Sequence, residues 1–263
     1  MSSAESINIK WNASLYDSKH DFVFKYGEDL LELLQPKPGE RIMDLGCGTG
    51  YLAKQIADAG AVVTGIDNSA DMIAKAKAAY PELDFRVESA TDFYSAEGYD
   101  AIFSNAVLHW IKEKEKAIDC MYLNLKDNGR LVLEMGGKAN VEAIIVALRT
   151  SLVDYGFQKQ AAVEQWYFPS LSAYASLLEK RGFRVTYAAH FDRETELKNT
   201  AHGIKDWIKM FGESFLKGID EPVLDIILTE VENKLRPTHF RNGKWYADYK
   251  RLRIVAMKQA GWA

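Results

Sequence analysis

Ile42-Met43-Asp44-Leu45-Gly46-Cys47-Gly48-Thr49-Gly50 decides how the rest of the chain is read. An apolar run carrying one acid ends in three glycines at alternate positions, and a helical pattern follows. The stretch reads as a strand, a tight turn and a helix start. Glycine suits such a turn because a side chain would block a ligand's approach to the backbone or forbid positive φ. The helix start adds N–H groups with no partner inside the helix. A dinucleotide site would continue as G-x-G-x-x-G. Here Tyr51 stands where the third glycine of that fingerprint belongs, and the pattern is instead Asp-x-Gly-x-Gly-x-Gly.

Outward from this turn the chain alternates short apolar runs with helical patterns. Arg41 to Leu45 is the first strand. A helix burying Leu52, Ile56 and Ala59 follows, closed by Gly60. Val62 to Ile66 is a second strand, with the β-branched bias expected of one. It stops at Asp67-Asn68-Ser69, where Asn68 or Ser69 can cap a helix carrying Met72, Ala76 and Tyr80. Further strands are expected at Leu83 to Val87, Ala101 to Ser104, Arg130 to Glu134, Phe183 to Phe191 and Leu252 to Met257. Strands that are apolar nearly throughout and separated by helices predict a parallel sheet covered on both faces. Two segments, 139–168 and 192–250, fall outside this rhythm and are expected to form a helical cap. The core is then 39–138, 169–191 and 251–263, and residues 1–38 are an N-terminal helical lid.

The chain has 263 residues, 48% of them hydrophobic and 27% charged, with a formal net charge of −4. A chain of that length buries a sizeable core. The slight acidity argues against nucleic acid or an anionic membrane surface as the main partner. Two cysteines, Cys47 and Cys120, give neither a disulfide framework nor zinc spacing. No apolar run approaches a membrane span and no signal-peptide core opens the chain. The expectation is a reduced, cytoplasmic setting and no metal, with the oligomeric state open.

Ligands of an open parallel sheet bind beyond the carboxyl ends of its strands. Four such ends carry marked residues: Asp44 with the glycine turn, Asp67, Thr91-Asp92, and Asn105-Ala106 with His109 close behind. Asp67 lies where an acid can accept from both hydroxyls of a ribose. Asp92 is placed to accept from an exocyclic amine.

These residues together resemble the motifs of the class I S-adenosylmethionine-dependent methyltransferases, from about Glu40 to Glu134. The resemblance implies a Rossmann-like, mostly parallel sheet of seven strands, the last antiparallel beside the sixth. It implies S-adenosylmethionine as cofactor and S-adenosylhomocysteine as product. Gly46 and Gly48 match the backbone beneath the methionine portion, with Asp44 and Cys47 in the same turn. Asp67 matches the ribose acid, and Asn68 and Met72 flank the adenine. Thr91 and Asp92 match the adenine edge, and Asn105 and Ala106 the segment near the methionine. Ser104 to Trp110, and the tail from Phe240 to Arg253, are similar to the trans-aconitate methyltransferase branch, where glutamine often stands in place of His109.

Other residues have two readings each. Tyr16, His20 and Phe22 either fold over the cofactor or pack on the core, and Trp110 either faces the sulfonium or packs as core. Cys47 is a small filler of the turn rather than a nucleophile. His109 is either structural or near the transferring methyl. Arg236, His239, Arg241, Tyr246, Tyr249 and Arg251 form a basic-aromatic cluster, either a solvated face or an anionic-substrate pocket. The expected substrate is a small molecule, and a carboxylate on a trans-aconitate-like acid or an acyl-thioester acid suits that cluster. Open alternatives are an amine or hydroxyl acceptor with His109 as base, a non-catalytic cofactor sensor, and a nicotinamide oxidoreductase disfavoured by Tyr51.

Overall fold

A computed structural model describes residues 29–199 and 201–259. The expectations for the N-terminal lid before residue 29, with Tyr16, His20 and Phe22, lie outside the described residues. Helix α1 (residues 29–34) leads through a Pro-Gly turn into β1 (Arg41–Leu45). The α/β rhythm then runs α2 (Tyr51–Asp58), β2 (Val62–Asp67), α3 (Ala70–Ala79), β3 (Asp84–Val87), β4 (Tyr99–Asn105), α4 (Lys114–Asn124) and β5 (Leu125–Gly136). Ser69 caps α3, its Oγ accepting from the Met72 N–H at 3.3 Å. That satisfies one of the donors a helix start leaves unpaired.

After β5 come α5 (Glu142–Asp154), the short α6 (Gln158–Ala161), α7 (Leu171–Glu179) and β6 (Phe183–Glu196). Then follow α8 (Gly203–Phe211), the short α9 (Glu213–Leu216), α10 (Glu221–His239), the two-residue β7 (Phe240–Arg241) and β8 (Lys244–Lys258). Seven strands form one sheet in the order β3-β2-β1-β4-β5-β8-β6, and β7 pairs with β8. Strands β1 to β5 are mutually parallel, and β8 lies antiparallel between β5 and β6. This is the Rossmann-like methyltransferase sheet the sequence implies.

Alternation along the strands builds the two core layers, because successive side chains point to opposite faces. Met43, Leu45, Ile102, Leu131 and Leu133 pack with Ile118 and Met121 of α4 and Leu178 of α7. Their neighbours Ile42, Ala101, Phe103 and Val132 pack on the other face with Leu30 and Leu34 of α1, Leu52 and Ile56 of α2, and Ile73 of α3. A third apolar cluster joins Leu148 and Leu152 of α5, Trp207 and Ile208 of α8, Ile227 and Val231 of α10, and Trp245 of β8.

The segment 192–250 is not helical throughout. Strand β6 runs on to Glu196 and β8 begins at Lys244, so the two pair from Phe183↔Lys258 to Glu196↔Tyr246. Residues 192–196 and 244–250 therefore extend the sheet, and the helices fill the stretch between. No helix among the described residues is long and apolar enough to cross a membrane.

Candidate active site

Strand order reverses between β1 and β4, and a cavity of about 580 Å³ opens beyond their carboxyl ends. The glycine turn forms its floor. Gly46 and Gly48 have φ of +78° and +55°. A Cβ on Gly46 would stand 2.2 Å from Val107 Cγ2, so that position must be glycine. At Gly48 a Cβ would meet nothing within 4 Å, so its backbone borders open space. Ile66 O accepts from both Gly46 N (2.7 Å) and Cys47 N (2.9 Å), tying the turn to β2. Burial, with Asp44 and Asp67 nearby, pushes the Cys47 thiol far up, consistent with a filler and not a nucleophile.

Two carboxylates flank this turn. Asp67 accepts from Gly48 N at 3.1 Å and from Ser69 N at 2.8 Å. Burial raises its pKa, and those two hydrogen bonds oppose the rise. Asp44 is 2% exposed, and its Oδ2 is buried without a hydrogen-bond partner. Burial, followed by the charge on Asp67, lifts its pKa to about 7. Around these acids Asn68, Met72 and Thr91 line the cavity, together with Ser69, Glu88, Ser89 and Ala90.

The end of β4 forms the next wall. Asn105 and Ala106 line it, Ala106 in the left-handed region at φ +62°. A 3₁₀ turn, Leu108–Trp110, then carries His109. His109 is 6% exposed, and its Nδ1 accepts from the Gly136 N–H at 3.3 Å. The ring proton is therefore on Nε2. Burial, then the charge of Arg251, holds the histidine well below its usual pKa. At neutral pH it is an uncharged donor whose one lone pair is engaged.

The far end of the cavity is aromatic and polar at once. Trp166 lies edge-on to Trp110 (5.5 Å between centroids), stacks on Phe168 (5.8 Å) and approaches Trp207 (6.1 Å). Trp207 Nε1 donates to Tyr249 Oη at 2.6 Å, and the Arg251 guanidinium carbon sits 4.6 Å over the Tyr249 ring. Arg251 is 5% exposed. Asn140, Val141 and Gln165 complete this end. Val141 has φ +49°, a strained value for a β-branched residue. Its neighbourhood is pinned to β8: Val141 N donates to Asp248 O at 3.0 Å, and Asn140 Oδ1 accepts from Lys250 N at 2.9 Å.

The basic-aromatic cluster expected from the sequence is split by strand alternation. Along β8, Trp245, Ala247, Tyr249 and Arg251 are buried, while Tyr246 and the residues between alternate to the other side. Tyr249 and Arg251 line the cavity, and Arg241 and Tyr246 do not. Arg241 is exposed, ion-paired with Glu194 and stacked 3.8 Å over Tyr246. Arg236 lies over Phe240 and Trp245, and His239 Nε2 stands 3.6 Å from Asp248. Asp92 is also absent from the wall: its N–H bonds Ser89 O at 3.0 Å, and its side chain is exposed. Gln165 and Asn140 carry no motif and were not legible in the sequence. Glu88 and Ser89 follow β3 directly, so the strand-end rule applied to that strand would have found them.

The methyltransferase domain family matches residues 19–188. The chain belongs to the class I S-adenosylmethionine-dependent methyltransferase family. An uncharacterised methyltransferase of Schizosaccharomyces pombe is 32% identical to it, over 95% of this chain and 98% of that one. Trans-aconitate 2-methyltransferase of Klebsiella pneumoniae is 29% identical, over 94% and 98%. The solved structure of the YcgJ protein from Bacillus subtilis shares the fold, with a TM-score of 0.60 at 18% identity, over 89% of this chain and 100% of that one. The methyltransferase assignment decides against the nicotinamide oxidoreductase and cofactor-sensor alternatives. S-adenosylmethionine is the cofactor of this methyltransferase.

Proposed function

We propose that this methyltransferase acts on the carboxylate of a small acid and forms a methyl ester. The observation that carries the reading is the far end of the cavity: a buried guanidinium, Arg251, beside a histidine whose lone pair is already used. A carboxylate is ionised near neutral pH and needs no base. Arginine presents a planar fork that orients such a group. An amine or hydroxyl acceptor would need a base within reach, and His109 has no lone pair to give while Nδ1 accepts from Gly136. The similarity to trans-aconitate 2-methyltransferase, an enzyme named for an acid, supports the same reading.

The residues at the floor fit the cofactor. The open space beside Gly48 admits a ligand against the backbone. The orphaned Asp44 Oδ2 suits a cationic group, which would hold the carboxyl in its charged form. Asp67 has its turn-forming bonds to Gly48 and Ser69, and each oxygen keeps a further lone pair for ribose hydroxyls. Met72 and Ala90 offer apolar surface to the adenine. S-adenosylmethionine, when bound, supplies a methyl group made electrophilic by its sulfonium. The protein's part is then positioning: Arg251 fixes the acceptor oxygen, His109 Nε2–H donates to it or its neighbour, and the aromatic walls exclude water. In this reading α5, α8 and α10 act as the cap over the acceptor end.

A pH–rate profile at saturating cofactor tests the acceptor class. With a carboxylate acceptor, kcat changes little between about pH 6 and 9. His109→Ala lowers it by about tenfold or less, the worth of one hydrogen bond. A steep rise of kcat with pH that disappears in His109→Ala, with the methyl group found on nitrogen or a hydroxyl, overturns the carboxylate reading.

A further inference from the structure

The charge and polarity of the acceptor end narrow the substrate beyond "a small acid". Among the described residues that line the cavity, Arg251 is the one buried cation; Lys112 is exposed at the mouth beside Glu113. Trp110, Trp166, Phe168 and Trp207 line the same cavity. A second or third carboxylate carried into this end would be buried without a second cation to pair with, an unfavourable arrangement. The aromatic faces instead match an apolar or aromatic body.

Gln165 adds a second requirement. It is 7% exposed, and its Nε2 donates to Phe211 O, which fixes the amide so that Oε1 is the free end. That Oε1 is buried with no hydrogen-bond partner. A buried acceptor left unpaired is costly and rare. A substrate N–H or O–H at this end of the cavity would satisfy it.

We propose, building on the carboxylate reading above, that the acceptor is a monocarboxylic acid with an aromatic or apolar body and one hydrogen-bond donor. Arg251 holds its single carboxylate and Gln165 selects the donor; a tricarboxylate such as trans-aconitate is a poor substrate. Gln165 is thus a specificity residue and takes no part in bond making. The reacting carboxylate oxygen forms the O–CH₃ bond as the sulfur–methyl bond breaks, and the leaving pair stays on sulfur.

Matched acids offered to the whole enzyme test this. Indole-3-acetate is compared with 1-naphthylacetate, 4-hydroxyphenylacetate with phenylacetate, and all four with trans-aconitate, ester formation being followed by mass spectrometry. The donor-bearing member of each pair should have the higher kcat/KM, by roughly ten- to a hundredfold. That preference should collapse in Gln165→Met while affinity for S-adenosylhomocysteine is unchanged. Equal turnover within the pairs of the unaltered enzyme overturns the role of Gln165, whatever the variant does. Trans-aconitate esterified faster than every monocarboxylate overturns this inference and leaves carboxyl methylation standing. Methyl transfer to amines or phenols, with no ester from any acid, overturns both.

Discussion

Asp44 should make cofactor binding depend on pH and release a proton. Its carboxyl is buried, its Oδ2 has no partner, and its pKa stands at about 7 rather than the 3.8 of an unperturbed aspartate. If the cationic end of the cofactor docks on it, only the ionised form binds well. Apparent affinity then follows the ionised fraction, which is about one tenth at pH 6 and one half at pH 7. From pH 6 to 7.5 the affinity for S-adenosylhomocysteine should rise about eightfold, and binding at pH 7 should release about half a proton. Calorimetry in two buffers of different ionisation enthalpy reads both quantities. Asp44→Asn should bind more weakly and lose the pH dependence. Flat affinity across this range, or an unchanged slope in Asp44→Asn, would refute the placement of positive charge on Asp44. The same shift affects the ligand-free fold with the opposite sign. The folded state keeps a proton that the unfolded chain has lost, so stability falls as pH rises from about 4 through 7. Asp44→Asn should remove that fall, raising ligand-free stability above pH 7 by a few kcal/mol.

Gly46→Ala places a Cβ against Val107 and forces alanine to φ +78°; urea unfolding should show a loss of roughly 2–4 kcal/mol, and an unchanged midpoint would contradict the close packing of the turn. Arg241→Ala removes an exposed pair that lies off the cavity, so kcat/KM for the acceptor should stay within about twofold. A large kinetic loss there would return Arg241 to the substrate pocket.

The glycine turn and strand rhythm were legible because the central strands β1, β2, β4 and the second half of β5 are buried on both faces and the helices beside them on one. That leaves countable periods, while the antiparallel last strand beside the sixth came from the family resemblance and not from those periods. What the sequence left unread has a physical cause in each case. The Arg236 to Arg251 cluster reads as a unit when residues up to 250 are placed in a helical cap and the last strand starts only at Leu252. Read as a strand, Trp245, Ala247 and Tyr249 already alternate with Tyr246, Asp248 and Lys250, and alternation alone separates Arg251 from Tyr246. Asp92 lies past the end of β3, but its N–H closes a turn on Ser89 O and its side chain is exposed. Gln165 and Asn140 are single polar residues in a non-periodic segment. Only tertiary contact reveals that one has an unpaired oxygen and the other braces β8.

The two ends of the cavity carry opposite charge, and this bears on why the site would favour transfer to a carboxylate. Asp44, Asp67 and Glu88 lie at the floor and Arg251 at the far end, with aromatic walls between. Such a cavity attracts a cationic donor to one end and an anionic acceptor to the other. Transfer from a sulfonium to a carboxylate consumes one charge of each sign, yielding a thioether and a neutral ester. A charge-cancelling step gains from leaving water, because solvent stabilises the separated charges of the reactants more than the dispersed charge of the transition state. On the proposed reading Trp110, Trp166, Phe168 and Trp207 would supply that dry environment, and Arg251 would keep it from expelling the acid. In the proposed reaction the ester would no longer pair with Arg251, so the interaction that recruits the acceptor would be absent from the product. An amine acceptor would arrive as an ammonium, meet Arg251 as a like charge, and have to lose a proton before it could attack. On the proposed reading, the residues that recruit an acid therefore also disfavour an amine, and this asymmetry in charge, more than any single hydrogen bond, supports a carboxylate as the acceptor.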